Sequence, residues 1–343
     1  MEKKNTSRIL CFDVMNVLAC FAVVVQHHNS HMHSFDGSFS WAVSLVLECL
    51  CYWSVPIFLM VSGANLLDYR KKYDTPTFFR KRFLRVAVPW LIWSVILLIW
   101  KVSTGQIRSD GQTLLSYAQL VLSNNVEGIY WFFGTLFVLY LMTPVLTHLT
   151  AHRRLLWYMV IGIFLLSALQ PLAGDYLPIG SGYIDALRNS LLVYYLLGYL
   201  LNTTEFTRKQ RIMLYLMGIA AVVFRFSVSF FHSHAIGAAS LAVRGNKMCN
   251  AMICSAALFV FLKQVDWNRL LPSKIQALLP TLASYSFGVY LLHRVVIWHL
   301  RELLGLGISS LKWKTICAPL TYVVCIAVIA LLKKIPVIKK YIC

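Results

Sequence analysis

The stretch RILCFDVMNVLACFAVVVQHHNS, Arg8 to Ser30, decides the fold. It is long and apolar enough to cross a bilayer as a helix, which takes about 20 residues at about 1.5 Å each. Yet it carries an acid, Asp13, near its start and a histidine pair, His27 and His28, near its end. Ionisable groups in such a helix face protein or a water-filled cavity and mark functional positions by default. Three, seven and fourteen residues are close to whole numbers of turns, so Asp13, Asn16, Cys20 and His27 share one face. The stretch therefore predicts a helical membrane bundle with a polar path inside it.

The rest of the chain agrees with that reading. Of its 343 residues 59% are hydrophobic and only 13% charged, with a mean hydropathy of +0.67; a soluble domain has about a quarter of its residues charged. We expect one polytopic domain over residues 1–343, with no linker, repeat or low-complexity tract. The net charge of +19 raises the question of nucleic acid. The cations lie between hydrophobic spans, however, and not along a basic helix or an aromatic-rich sheet, so the partners they fit are lipid headgroups and a phosphate-bearing ligand. The nine cysteines (11, 20, 49, 51, 249, 254, 317, 325, 343) lie in or beside apolar segments without zinc-ligand spacing and read as buried thiols. Lys3, Lys4 and Arg8 precede an apolar run that has no small-x-small cleavage site, so the first span is expected to stay uncleaved. Cys343, at the very end, is no prenylation box.

Apolar runs near 11–29, 41–67, 84–101, 129–148, 155–173, 187–201, 212–231, 248–263, 281–300 and 315–332 predict an all-α integral membrane bundle of about ten transmembrane helices. With the N-terminus cytoplasmic, the inner loops hold 22 Lys and Arg and the outer ones 8, while Arg225 and Arg294 lie inside spans. The positive-inside rule then gives N-in and C-in, a multi-pass protein.

Several side chains carry chemistry. Arg82 and Arg85 are three apart, on one face of a helix at the cytoplasmic mouth, as two forks for phosphate or as ordinary topology determinants. His27, at the outer end of the first span, is an interfacial histidine or a general base for a hydroxyl. Asp13 lies about 21 Å away along the axis and cannot orient it, so the partner comes from another helix. Glu48 and His293 lie at a suitable depth; Glu48 reads equally as half of an ion pair with Arg294 or Arg225. His27, His31, His33, His232 and His234 gather toward one side, but without an HExxH pattern, and no metal is expected. Nucleophile elbows, phosphate loops and dinucleotide fingerprints are absent from the sequence.

Taken in order, the Asp13 to His27 spacing, SVPIFLMVSG (Ser54 to Gly63), the Arg82-x-x-Arg85 pair, YWFFGTLFVLYLMTPVL (Tyr130 to Leu146), YYLLGYL (Tyr194 to Leu200) and SYSFGVYLLH (Ser284 to His293) resemble the membrane acyltransferase-3 family. The likeness is strongest to the branch of the enterobacterial common antigen O-acetyltransferase. It implies transfer of an acyl group, usually acetyl, from cytoplasmic acyl-CoA to a hydroxyl of a lipid-linked or surface glycan across a bacterial inner membrane. It also implies His27 as base and Arg82 and Arg85 as holders of the donor's phosphates, with acetyl-CoA as a substrate and no permanently bound cofactor. In one respect the chain departs from the family, which commonly has arginine where Asn16 stands. Asn cannot supply positive charge to a developing oxyanion; Arg294 or Arg225 is then the candidate substitute, or the activity is altered. An exporter of glycan or lipid is the alternative from another class, against which stands the lack of matching Gly/Pro-broken halves.

Overall fold

The structure, a computed structural model, describes residues 10–169, 191–240 and 242–336. The predicted end of the fifth span (170–173), the start of the sixth (187–190), Arg188, the terminal cations Lys3, Lys4, Arg8, Lys339 and Lys340, and Cys343 lie outside them. Among the described residues the fold is all helix: α1 Leu10–His28, α2 Phe39–Cys51, α3 Ser54–Leu66, α4 Thr75–Arg82, α5 Val88–Ser103, α6 Leu114–Leu122, α7 Trp131–Leu149, α8 Arg153–Leu169, α9 Leu192–Asn202, α10 Arg208–Ile236, α11 Cys249–Gln264, α12 Trp267–Leu270, α13 Ser273–Leu304, α14 Leu311–Thr315 and α15 Cys317–Leu332.

Seven helical runs among them are long and apolar enough to cross a membrane: Leu10–His28, Phe39–Lys71, Thr75–Ser103, Gly128–Leu149, Arg208–Ile236, Ser273–Leu304 and Leu311–Leu332. The other three predicted spans correspond to α8, α9 and α11, which are shorter. The second span is two helices. A new helix starting at Ser54 places Pro56 in its first turn, where a missing N–H costs nothing because those donors have no intrahelical partner. Pro89 sits likewise in the first turn of α5, and Asp74 and Thr207 cap α4 and α10 through their side chains.

The bundle is organised around α1, whose Met15, Ala19, Cys20, Val23 and Val24 are buried. It packs on α3, α13 and α15. Cys20 Sγ donates to the Ser286 carbonyl at 3.4 Å and the Ser286 hydroxyl to the Asn16 carbonyl at 3.4 Å, tying α1 to α13; Tyr322 of α15 donates to the Val17 carbonyl at 3.4 Å. α3 and α9 cross at their glycines. A Cβ on Gly63 would run into the Tyr195 carbonyl, and one on Gly198 into the Met60 carbonyl, so the backbones touch, the small-residue packing that lets helices approach closely inside membranes. The SVPIFLMVSG and YYLLGYL stretches are thus two halves of one joint.

The ends of the bundle differ in chemistry. At one end, where α1 starts, Tyr199 reaches Asp68 at 3.4 Å, Arg153 donates to Thr203, Thr204 and the Leu200 carbonyl, and Lys263 donates to the Leu201, Asn202 and Thr204 carbonyls. These cations satisfy the open carbonyls at the end of α9. At the opposite end lie His27, His28, His31 and His293.

Candidate active site

The last turn of α1 carries His27, His28 and, just beyond it, Asn29 into the polar end. His27 is half-buried, and its ring lies 5.1 Å, centroid to centroid, from that of His293 on α13, tilted by 39°. His293 is fully buried. Its Nδ1 is 3.1 Å from the Val289 carbonyl; a carbonyl only accepts, so Nδ1 carries the hydrogen and Nε2 of the neutral ring is the lone-pair nitrogen. That Nε2 is buried without a protein hydrogen-bond partner, the kind of orphan that in a native structure calls for an explanation. The helix carrying His293 is held in register by crossed bonds to the turn before α7: Tyr290 donates to the Ile129 carbonyl, and Tyr130 to the Leu291 carbonyl at 3.4 Å. Of the residues proposed from sequence, His27 and His293 are the two brought together.

Beside them is an acid that the sequence reading missed. Glu127 is buried, ion-paired to Lys101 at 2.8 Å and to Arg294 at 3.4 Å. Arg294 is close enough to both imidazoles to act on them electrostatically. One signal was available: the chain has only 13 acids against 32 cations, and a lone acid directly before the aromatic block GIYWFF was worth weighing.

His28 packs its ring 4.5 Å from that of Trp313, and its Nε2 bonds Thr321 Oγ1 at 2.8 Å, fixing α1 to α15. Next to it a relay closes the loop after α1. Asp36, outside the spans, has its carboxyl held down to about 2 by hydrogen bonds from the Ser38 side chain and backbone, so it is ionised at neutral pH. It accepts from His31 Nε2 at 3.0 Å, and His31 Nδ1 accepts from Lys314 Nζ at 2.9 Å. Lys314 also donates to the Ser40 carbonyl and hydroxyl at 2.7 and 2.6 Å, a third bond that saturates a buried ammonium. The histidines weighed for metal are engaged elsewhere: His31 in this relay, His33 with Arg244 at 3.0 Å, His232 with Ser240 at 2.8 Å. Among the described residues no group of three or more His, Cys, Asp or Glu is placed to hold a metal ion.

Glu48 takes the ion-pair alternative. Its carboxylate receives Nε of Arg225 at 3.1 Å and also Nη2, a bidentate fork; Arg225 Nη1 donates to the Val243 carbonyl at 2.9 Å and the guanidinium lies 3.4 Å over the Tyr52 ring. Arg225 is thereby committed to structure, and Arg294 is the cation that stands by the histidine pair.

Asp13 is buried in the first turn of α1, at the far end of the helix from His27, and half-buried Asn16 follows one turn later. Arg82 and Arg85 do not share a face. Residues Phe83–Ala87 form a π turn, whose wider spacing shifts Arg85 away from the register of Arg82. Arg85 is exposed; Arg82 is half-buried, 5.9 Å from the Phe78 and Tyr140 rings, with Nε lacking a hydrogen-bond partner. It lines a cavity of about 280 Å³ with Phe79, Phe83, Ala87, Phe137, Tyr140 and Leu141.

The geometry therefore separates an apolar cavity edged by Arg82 at one end from an imidazole pair at the other. In comparison with known proteins, a family described as an acyltransferase domain, Acyl_transf_3, matches residues 9–333. The nodulation protein NolL of Mesorhizobium japonicum is 25% identical over 158 residues, 45% of this chain and 39% of that protein. The chain thus aligns with well under half the length of this relative. No solved structure matches significantly. The family match runs over nearly the whole bundle, and the chain, with several helices long and apolar enough to cross a membrane, belongs to the acyltransferase-3 family.

Proposed function

We propose that the protein is an O-acetyltransferase that moves acetyl from cytoplasmic acetyl-CoA to a hydroxyl of a lipid-linked or surface glycan on the far side of a bacterial inner membrane. The observation that carries this reading is the His27–His293 pair at the end of the bundle opposite Arg82. Ten spans, N-in and C-in, put the cations of Arg70 to Arg85 on the cytoplasmic side and the imidazoles outside. A polyanionic donor is drawn to that mouth, Arg82 and Arg85 hold its phosphates from two sides of the π turn, and its extended arm presents the thioester toward the histidines. Asp13 and Asn16 line the inner half of that path.

In the transfer step His27 takes the proton of the acceptor hydroxyl, the oxygen forms a bond to the acetyl carbon, the carbon–sulfur bond breaks, and the thiolate of CoA leaves and is protonated. His293, packed ring to ring against His27 at 5.1 Å, confines that imidazole and leaves a His27 nitrogen for the hydroxyl. Arg294, steadied by Glu127, supplies the charge for the developing oxyanion that Asn16 lacks. The motifs of the chain favour the enterobacterial common antigen branch. The test is to incubate purified protein with radiolabelled acetyl-CoA and polyisoprenyl-linked sugars. Label is expected in the saccharide; its absence across acceptors, with CoA binding intact, contradicts the assignment.

A further inference from the structure

Outside the site, an apolar groove of about 570 Å³ lies in the face where α2, α10 and α11 meet, with Leu50, Trp53, Ile219, Val222 and Leu258 on its walls. Its floor is made of small side chains. A Cβ on Gly218 would meet that of Ala257, so α10 and α11 come together there and leave a recess and not a ridge. At the arginine end the groove runs into a smaller one of about 270 Å³ through Tyr215 and Phe261, which line both, and there the walls turn polar: Arg208, Arg211 and Gln264.

The order of these residues along α10 is the order of a lipid leaflet. Arg208, Arg211, Ile212, Tyr215, Gly218, Ile219, Val222 and Val223 recur at three- and four-residue steps, one stripe of the helix. Two cations come first, a tyrosine sits where aromatic belts sit, and an apolar recess follows for about 12 Å from Tyr215 to Val223, close to half of a roughly 30 Å hydrocarbon core. Arg211 is held at the mouth by its bond to Gln264 at 2.6 Å. A second apolar groove, about 150 Å³ between α8, α9, α10 and α11, has no charged residue in its lining.

We infer that the groove between α2, α10 and α11 is a site for one anionic phospholipid, its acyl chain on the Gly218–Ala257 floor and its phosphate at Arg208 and Arg211. Lipid merely passing along a convex helix face exchanges without regard to headgroup; a recess ending in two guanidinium groups retains lipid and selects the charge. The site is separate from the imidazole pair and does not depend on the acetyl-transfer reading.

The test is native mass spectrometry of the detergent-purified chain titrated separately with dioleoylphosphatidylglycerol and dioleoylphosphatidylcholine. One phosphatidylglycerol is expected to be retained in preference to phosphatidylcholine. R208A/R211A should weaken its retention about 30-fold, the effect of removing two cations near an anionic headgroup, while R269A, an exposed arginine at the same end, leaves it unchanged. V222W, which fills the recess, should reduce retention of both lipids. Equal retention of the two lipids, unchanged binding in R208A/R211A, or an equal loss in R269A would overturn the proposal, and these outcomes stand whether or not V222W folds.

Discussion

At the level of single residues, the polar groups inside this bundle divide into those that finish their bonding within the protein and those that do not. Arg225 and Glu48 belong to the first kind: the side chains are 3% and 12% exposed and joined by a fork. Removing one partner of such a pair leaves a buried charge uncompensated, at a cost of about 3–5 kcal/mol. E48A is therefore expected to lower the thermal unfolding midpoint in detergent markedly, with transfer per folded molecule preserved; an unchanged midpoint would show that the pair is solvated. His293 belongs to the second kind, its Nε2 buried without a hydrogen-bond partner and its ring 5.1 Å from that of His27. H293A should lower kcat for acetyl transfer about 10-fold or more, the loss of an oriented base, while KM for acetyl-CoA stays put, because the arginines proposed to hold the donor's phosphates lie at the other end. His27 and His293 were both legible from depth and residue type. Glu127 was not, because its partners are 26 positions before it and 167 after it, a relation that no local pattern encodes.

At the level of elements, the long apolar helices were readable because hydrophobic length is set by the bilayer. The interruptions were not. The sequence offered Arg82 and Arg85 as an i, i+3 pair on a regular helix, whereas the π turn over Phe83–Ala87 separates them; hydrophobic periodicity does not report one extra residue in a turn. Likewise α9 is short because it is held by neighbours on all sides, Leu192 to Leu201 being buried throughout, and an element enclosed by protein need not match the bilayer. The two glycines at the α3–α9 crossing explain why these stretches read as motifs. G198A or G63A pushes a methyl into backbone that cannot move aside, and overpacking of that kind costs about 1–3 kcal/mol or more. Loss of monodisperse protein on size exclusion or a lowered midpoint is expected; G134A, at a glycine whose Cβ would lie 3.7 Å from its nearest neighbour, the Asn124 side chain, should be nearly silent. If all three behave alike, the crossing is looser than described.

At the level of the whole molecule, the bundle is polar along α1: Arg82 and an apolar cavity beside it at one end, the His27–His293 pair at the other. If the cationic end is cytoplasmic, R82A raises the apparent KM for acetyl-CoA while leaving saturated turnover close to that of the parent, because a lost phosphate contact weakens donor and transition state alike. Thiol reagents applied outside intact cells should then fail to label Cys343, which follows the last span. The proposal that His27, in the last turn of α1 and packed against His293, is the base carries the mechanism. It is tested most directly by measuring transfer of radiolabelled acetyl from acetyl-CoA to a polyisoprenyl-linked sugar by purified H27A beside the parent, with CoA binding measured on both. The account predicts a loss of about 10²- to 10⁴-fold in kcat at unchanged CoA affinity; transfer by H27A at the parental rate would contradict it.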